Sequence, residues 1–181
     1  ARDIENAKIS QIIYPLMQIE DIKALDLDFV VAGIDQRKIH ALGLELFSKI
    51  GFKKKPIFVH TGIITSLKGP GRKMSSSLPD SMISIRDSKN SIKEKISKAY
   101  CPEGNVVENP VLEICKLILF PKFRKIEIKR QQKFGGNLLY TSYYDLESDF
   151  IKRSLHPLDL KNAVAEYLEE NFRRLSGELE I

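Results

Sequence analysis

Apolar residues near the start of the chain recur at helical spacing. The residues that form this stripe are Ile9, Ile12, Ile13, Leu16 and Ile19. The stripe predicts a helix over residues 4–20, in which Tyr14, Gln18 and Asp21 lie together on the opposite face. Pro15 lies inside the pattern and predicts a kink, because proline lacks the N–H that a helix interior uses.

Two short apolar runs, at residues 29–34 and 56–59, predict a pair of buried strands. Between them, residues 36–50 return to helical periodicity, and Gly51 is placed to end that helix. Strand, helix and strand in this order predict a βαβ unit with a parallel sheet. Residues 61–79 are predicted to form a long loop at the carboxyl end of a strand, where open α/β sheets bind ligands, and to be mobile without a ligand.

The rest of the chain is predicted to be almost entirely helical. Four helices are expected, from Ser88 or Ser91 to Tyr100, from Asn109 to Pro121, from Ser142 to Ile151, and from Pro157 onwards. The change of pattern near residue 85 predicts an α/β domain over residues 1–85 and a helical domain over residues 86–181. Because a doubly wound domain usually has five or more strands, the α/β domain resembles one half of such a fold.

Composition excludes several classes of protein. The chain of 181 residues is 43% hydrophobic and 29% charged, which excludes disorder as its default state. No apolar run reaches the roughly 18–20 residues that cross a membrane, and the first residues lack the pattern of a secretory signal. Cys101 and Cys115 have no metal-ligand spacing and predict free thiols, so we expect a cytoplasmic protein without a bound metal.

Basic residues concentrate in two segments of a chain whose formal net charge is +5. Residues 46–79 contain seven Lys or Arg and no acid, and residues 122–133 contain six with the single acid Glu127. Such segments favour a polyanionic partner, a phosphate or a nucleic acid. The alternative for each segment is a solvated lysine face.

The predicted loop contains a stretch, Lys68–Ser77, that suits a polyphosphate ligand. Its glycines let the backbone approach a ligand, Arg72 and Lys73 supply positive charge, and its serines supply hydrogen-bond donors. It is not a P-loop, because the spacing of glycines and lysine is different. The alternative is a flexible linker with incidental charge.

Five segments, in the same order, resemble those of one family. They are Tyr14–Gln18 with Asp21, Gly33–His40, Lys73-Met74-Ser75-Ser76-Ser77, Lys133–Gly136 and His156–Lys161. The third is similar to the KMSKS-type signature of class I aminoacyl-tRNA synthetases, and the set resembles archaeal and eukaryotic tyrosyl-tRNA synthetases along essentially the whole chain. The resemblance implies the C-terminal part of a Rossmann-like nucleotide-binding domain, followed by an all-α anticodon-binding domain. The activity it implies is that of a tyrosine–tRNA ligase.

The resemblance implies a pocket for the tyrosine substrate. Tyr14, Gln18 and Gln36 would surround its amino group and backbone, and Asp21 would accept a hydrogen bond from its phenol. Without the resemblance, the preferred interpretation of Asp21 is a helix cap, and that of Tyr14 and Gln18 is the surface of an amphipathic helix.

The resemblance also implies that the Lys73–Ser77 signature is catalytic. Lys73 and Ser76 would contact the phosphates of ATP, which binds with Mg²⁺, and the loop would stabilise the departing pyrophosphate. The substrate carboxylate attacks the α-phosphate, so positioning and electrostatics suffice without a protein nucleophile. Ser76 stands where the general signature has a second lysine, which removes one cationic contact.

Contacts with tRNA(Tyr) are implied at both ends of the chain. Arg37 and Lys38 would face the acceptor end of the tRNA, or else form a solvated helix start. Phe134 would stack on an anticodon base while His156 and Asp159 bond to base edges, which is how proteins read single-stranded loops. The alternatives are a core aromatic residue and ordinary helix capping.

Parts of the family pattern are missing. None of the histidines has the His-x-Gly-His spacing of the first half of the catalytic domain. The chain is therefore predicted to be the C-terminal half of the enzyme, to be inactive alone, and to expose an apolar face. The full-length enzyme is expected to be a homodimer. The alternatives are a non-catalytic tRNA-binding module and a tryptophanyl enzyme, although Tyr14 and Asp21 suit a phenol better than an indole.

Overall fold

The computed structural model describes the backbone of residues 8–179 and the side chains of residues 8–174. Internal contacts divide the chain between residues 63 and 64 into two compact units, called here the α/β unit and the helical unit. Residues 64–85 thus group with the helical unit, whereas the sequence pattern changes near residue 85.

The α/β unit contains the predicted βαβ arrangement. Its elements are α1 (Ile9–Ala24), β1 (Phe29–Gly33), α2 (Arg37–Leu46) and β2 (Ile57–Thr61). The two strands are parallel, in a register that runs from Phe29 opposite Ile57 to Gly33 opposite Thr61. Helix α1 continues through Pro15, and residues 4–7 of the predicted helix lie outside the described residues.

Within the described part of the α/β unit, a core packs against one side of the two-stranded sheet. Val30 and Phe58 point toward a small core, whose buried members are Ile19, Ile22, Phe47 and Phe52. Alternation along the strands places four apolar side chains on the opposite face, which is called here the open face: Phe29, Val31, Ile57 and Val59. These side chains are between 39% and 62% exposed, so the apolar face predicted from the sequence is present.

The helical unit contains five helices in its described part, together with a small hairpin. The helices are α3 (Lys89–Lys98), α4 (Pro110–Ile114), α5 (Phe120–Phe123), α6 (Tyr143–Ile151) and α7 (Pro157–Leu179). The hairpin pairs β3 (Ile126–Ile128) with β4 (Leu138–Tyr140) in antiparallel register. The prediction of a helical second domain is confirmed in its class, but the hairpin was not predicted, because three-residue strands leave too short a pattern.

Three predicted helix starts are confirmed by side-chain caps. Ser88 accepts a hydrogen bond from the backbone N–H of Ser91, and Ser142 accepts one from Tyr144. Asn109 accepts two, from the first turn of α4. The prediction that Pro121 ends a helix was wrong, because a wider turn over Cys115–Leu119 precedes it and the helical path runs on to Phe123.

The core of the helical unit is continuous and apolar. Side chains from all its longer helices are fully buried in it, among them Ile96, Leu112, Leu146, Phe150, Leu160 and Val164. Helix α3 packs along α7. Cys101 and Cys115 are free and buried, and burial raises the pKa of both thiols. Among the described residues no helix is long and apolar enough to cross a membrane.

Candidate functional site

Helix α1 and the turn before α2 carry the residues predicted to bind tyrosine. Tyr14 and Asp21 are exposed on α1, Gln18 is half-buried between them, and Gln36 closes the short turn that follows β1. The side-chain oxygens of Gln18 and Gln36 are both buried and have no hydrogen-bond partner among the described residues. A buried oxygen that stays unpaired costs about 1–3 kcal/mol, so each of these two atoms is able to accept a further hydrogen bond.

Two histidines that the sequence analysis did not select lie behind Gln18. The Nε2 atom of Gln18 is 3.4 Å from Nε2 of His40, and Nδ1 of His40 is 2.9 Å from Nε2 of His60. His40 is only 1% exposed, and its ring stacks on Phe58 with centroids 4.4 Å apart. Burial, followed by the proximity of His60, lowers the pKa of His40, which keeps it neutral at neutral pH.

Arg37 and Lys38 form the exposed first turn of α2. They directly follow Gln36, so their position is set by the end of β1. Exposed cations at the end of a parallel strand are accessible to a phosphate backbone.

The signature loop belongs to the helical unit and has a defined conformation. Thr65 and Lys73 form an antiparallel bridge, Ser66 donates its backbone N–H to the Arg72 carbonyl at 2.8 Å, and Met74 donates to the Ile64 carbonyl at 3.0 Å. The turn between them needs Gly69, whose φ is +113° and whose position leaves a Cβ only 3.1 Å from the Tyr100 ring. Lys73 therefore projects from a small hydrogen-bonded hairpin.

Side chains outside the hairpin hold this loop. Both carboxylate oxygens of Glu113 on α4 accept hydrogen bonds from Thr65, from its N–H at 2.6 Å and from its hydroxyl at 3.0 Å. The hydroxyl of Ser81 accepts from the Ser75 N–H at 3.3 Å and donates to the Leu78 carbonyl at 2.6 Å. These contacts fix the backbone on both sides of the signature.

Within the signature, exposure separates the five residues. Lys73, Ser76 and Ser77 are exposed, and Ser75 is half-buried. Met74 is half-buried because it packs against the core of the helical unit. The cation and two hydroxyls thus face solvent from a loop whose methionine anchors it.

Phe134, His156 and Asp159 line one cavity in the helical unit, as their predicted common role requires. The cavity has a volume of about 370 Å³ and is also lined by Arg130, Arg153, Ser154 and Leu158. Arg130 is held in place, since its Nε donates to the Gly136 carbonyl and its Nη1 to the Ser154 carbonyl, both at 3.0 Å. The sequence analysis recorded Arg130 only as part of a basic segment and did not select Arg153.

The chemistry of this cavity suits a nucleobase. Nδ1 of His156 accepts the backbone N–H of Leu158 at 3.1 Å, so in the neutral ring Nε2 carries the proton and is a donor. Phe134 is 59% exposed, and the ammonium of Lys133 lies 4.8 Å from its ring centroid. An aromatic face, a ring N–H donor and the Asp159 carboxylate acceptor therefore surround a space bordered by cations.

Comparison with known proteins decides the family. The family described as tRNA synthetases class I (W and Y) matches residues 1–173. The chain belongs to this family. A tyrosine–tRNA ligase of Aeropyrum pernix is 46% identical over 194 residues, which cover 97% of this chain and 53% of that protein.

Solved structures agree with the sequence match. The tyrosyl-tRNA synthetase of Archaeoglobus fulgidus, complexed with L-tyrosine, is 47% identical with a TM-score of 0.79, and the match covers 96% of this chain and 53% of that one. The corresponding complex from Pyrococcus horikoshii is 35% identical with a TM-score of 0.84, over 97% and 54% of the two chains. The predicted resemblance and fold class are confirmed, and the chain spans about half the length of the relatives it matches.

Proposed function

We propose that this chain forms part of a tyrosine–tRNA ligase, which activates L-tyrosine with ATP and transfers it to tRNA(Tyr). The observation that carries the proposal is the pair of buried, unpartnered side-chain oxygens of Gln18 and Gln36. Both belong to the residues that the family resemblance assigns to the amino group of tyrosine. Oxygens without a protein partner are the atoms that a substrate ammonium needs.

The tyrosine side of the site rests on α1. Asp21 is exposed one turn beyond Gln18 and would accept the hydrogen bond of the phenol, while Tyr14, one turn before it, would flank the amino group. A carboxylate acceptor left unpaired by phenylalanine would reject that analogue. Discrimination of tyrosine from phenylalanine is an established example of this effect.

The signature loop supplies the second substrate site. Lys73 and Ser76, both exposed on the hydrogen-bonded loop, would bind the phosphates of ATP. The rest of the Lys73–Ser77 signature would help to stabilise the departing pyrophosphate. A cation and donors fixed before the reaction stabilise developing negative charge without reorganising. Mg²⁺ would bind together with ATP, as the family resemblance implies.

The helical unit would bind the tRNA. Phe134 would stack on an anticodon base, and the donor of His156 and the acceptor of Asp159 would read its edge, with Arg130 and Arg153 near the phosphates. Arg37 and Lys38 would contact the acceptor end. The complete enzyme would be a homodimer, as the family resemblance implies, and the free thiols of Cys101 and Cys115 favour a cytoplasmic location.

The test is tyrosine-dependent exchange between ATP and pyrophosphate. The chain is assayed alone and with the N-terminal half of the Archaeoglobus fulgidus enzyme, and we expect activity only from the mixture. In the mixture, Gln18→Ala should raise the KM for tyrosine, whereas Gln11→Ala, at the exposed start of the same helix, should not. A mixture without tyrosine-dependent exchange would contradict the proposal.

A second candidate function is a tRNA-binding module without catalysis. It is favoured by the cavity around Phe134, whose lining residues all lie in the helical unit. This candidate predicts that the chain binds tRNA with no effect of tyrosine or ATP, even when the N-terminal half is supplied. The exchange assay is repeated with tryptophan in place of tyrosine. Exchange that depends on tryptophan and not on tyrosine would support the tryptophanyl alternative.

A further inference from the structure

We propose that His40, oriented by His60, is a positioning residue that holds the amide of Gln18 with its oxygen turned toward the ammonium group of the tyrosine substrate. This inference rests on the proposed function, and it assigns a role to two histidines that the family motif analysis left without one.

The order of donors and acceptors follows from the first contact. The Nε2 atom of Gln18 is an amide NH₂ group, which can only donate, so Nε2 of His40, 3.4 Å away, must accept. A neutral imidazole has one donor and one acceptor, and the proton of His40 therefore lies on Nδ1. That N–H donates to Nε2 of His60 at 2.9 Å. The amide oxygen of Gln18 remains buried without a protein partner.

The reverse order would defeat binding. If Nε2 of His40 carried the proton, it would donate to the oxygen of Gln18, and the amide would turn its NH₂ group toward the substrate. Two donors, the amide and the ammonium, would then face each other. The tautomer of a buried ring thus decides whether Gln18 attracts or repels the ligand.

Protonation of His40 has the same effect as the wrong tautomer, because both ring nitrogens then donate. The groups that face His40 are the neutral amide of Gln18 from α1, and from β2 the ring of Phe58 and the titratable His60. Burial and His60 lower the pKa of His40 and favour the neutral ring. The stacking on Phe58 fixes the plane of the ring and hence the direction of both nitrogens.

Two substitutions of His40 distinguish the effect of its acceptor nitrogen from the effect of its packing against Phe58. His40→Phe keeps an aromatic ring against Phe58 but removes both nitrogens, whereas His40→Gln keeps an oxygen that can accept from Gln18 and cannot be protonated. In the exchange assay with the N-terminal half supplied, we expect His40→Phe to raise the KM for tyrosine about fivefold, with kcat little changed. His40→Gln should raise the KM for tyrosine much less than His40→Phe does.

The pH profile gives a readout that packing alone would not move. In the unsubstituted chain the KM for tyrosine should rise only at a pH below the ordinary histidine pKa of about 6.5, because burial and His60 lower the pKa of His40 and the ring takes up a proton only there. In His40→Gln this part of the rise should be absent. Equal rises of KM in both variants, each with an unchanged pH profile, would show a purely structural role and overturn the inference.

A measurement that does not depend on enzyme activity distinguishes the proposed role of His40 from the proposed function of the chain. Nitrogen-15 NMR of the histidine rings in the chain should show His40 protonated at Nδ1 and bare at Nε2 at pH 7.5. A proton on Nε2 overturns the inference whatever the activity. The expected tautomer, combined with no tyrosine-dependent exchange in the complemented chain, overturns the proposed function and the ligand assigned to Gln18, while the hydrogen-bonded chain itself stands.

Discussion

Glu113 on α4 is the side chain that ties the signature loop to the helical core, and its removal should open the loop before it unfolds the unit. In Glu113→Ala, Thr65 loses the acceptors of both its N–H and its hydroxyl. Thr65 is only 8% exposed, so water replaces these acceptors poorly. The bridge between Thr65 and Lys73 then loses the contact that fixes one of its strands.

The size of the effect follows from the two contacts. A hydrogen bond to a charged group contributes about 1.5–3 kcal/mol, and two that share one half-buried carboxylate should together contribute about 2–3 kcal/mol. A loss of about 2 kcal/mol accelerates exchange through local opening about thirtyfold. Glu113→Gln keeps an acceptor for the N–H, and its amide can donate to the threonine hydroxyl, so about 1 kcal/mol and a fivefold acceleration are expected.

The assay is native-state hydrogen exchange resolved to single amides. The reporters are the amides of Ser66 and Met74, which bond across the loop, and the control amide is that of Ile92 in α3. Thr65→Val removes only the hydroxyl contact and provides the second side of a double-mutant cycle with Glu113→Gln. If all three amides accelerate equally, or if none does, then Glu113 does not hold the loop and the reasoning is refuted.

Three further predictions concern stability and association. The exposed apolar side chains of the open face should make the chain self-associate in a concentration-dependent way in analytical ultracentrifugation. Replacing Val31 and Ile57 by Thr should weaken this association, because it removes apolar area while retaining strand propensity; unchanged association would contradict a role of the open face. Asp87 forms an ion pair with Lys95 at 2.8 Å, and the two side chains are 13% and 18% exposed, respectively. Burial acts to raise the pKa of Asp87, but the hydrogen bonds that it accepts from Lys95, Ser84 and Ser91 outweigh this effect and lower that pKa. This stabilisation is present above the ordinary aspartate pKa of about 4 and is lost as the pH falls, so Asp87→Asn should cost about 1–2 kcal/mol in urea unfolding at pH 7 and much less at pH 3. Asn109→Ala should cost about 2 kcal/mol in the same assay, because the buried cap accepts two backbone N–H groups of α4, and a loss below 0.5 kcal/mol (roughly the smallest measured for a cap) would contradict its role.

Local signals predicted most of the fold. Periodicity located α1 and α2, and cap residues such as Ser88 and Asn109 marked helix starts, because each depends on a few neighbouring residues. The wider turn before Pro121 was not predictable in this way, since the proline alone indicates a stop. The β3–β4 hairpin was also missed, because its three-residue strands carry too little alternation to be distinguished from a loop.

The candidate site was predictable only where a motif recorded it. Phe134, His156 and Asp159 were grouped by resemblance, and they line one cavity. Arg153 lines the same cavity but was not predicted, because a single arginine in the sequence does not indicate which cavity it lines. His40 and His60 are twenty residues apart, and only the parallel pairing of β1 with β2 brings β2 beside α2, so their contact is a property of the fold.

The packing of α3 along α7 has a consequence for how the chain is made. Residues 89–98 leave the ribosome well before residues 157–179. The apolar side of α3, including Ile92 and Ile96, therefore stays exposed during synthesis until α7 is available to cover it. The hairpin of the signature loop is anchored to the same core, so this loop can reach its final conformation only late in translation. A ribosome stalled near residue 150 should therefore present a segment that chaperones bind, although every residue of the signature has already been synthesised.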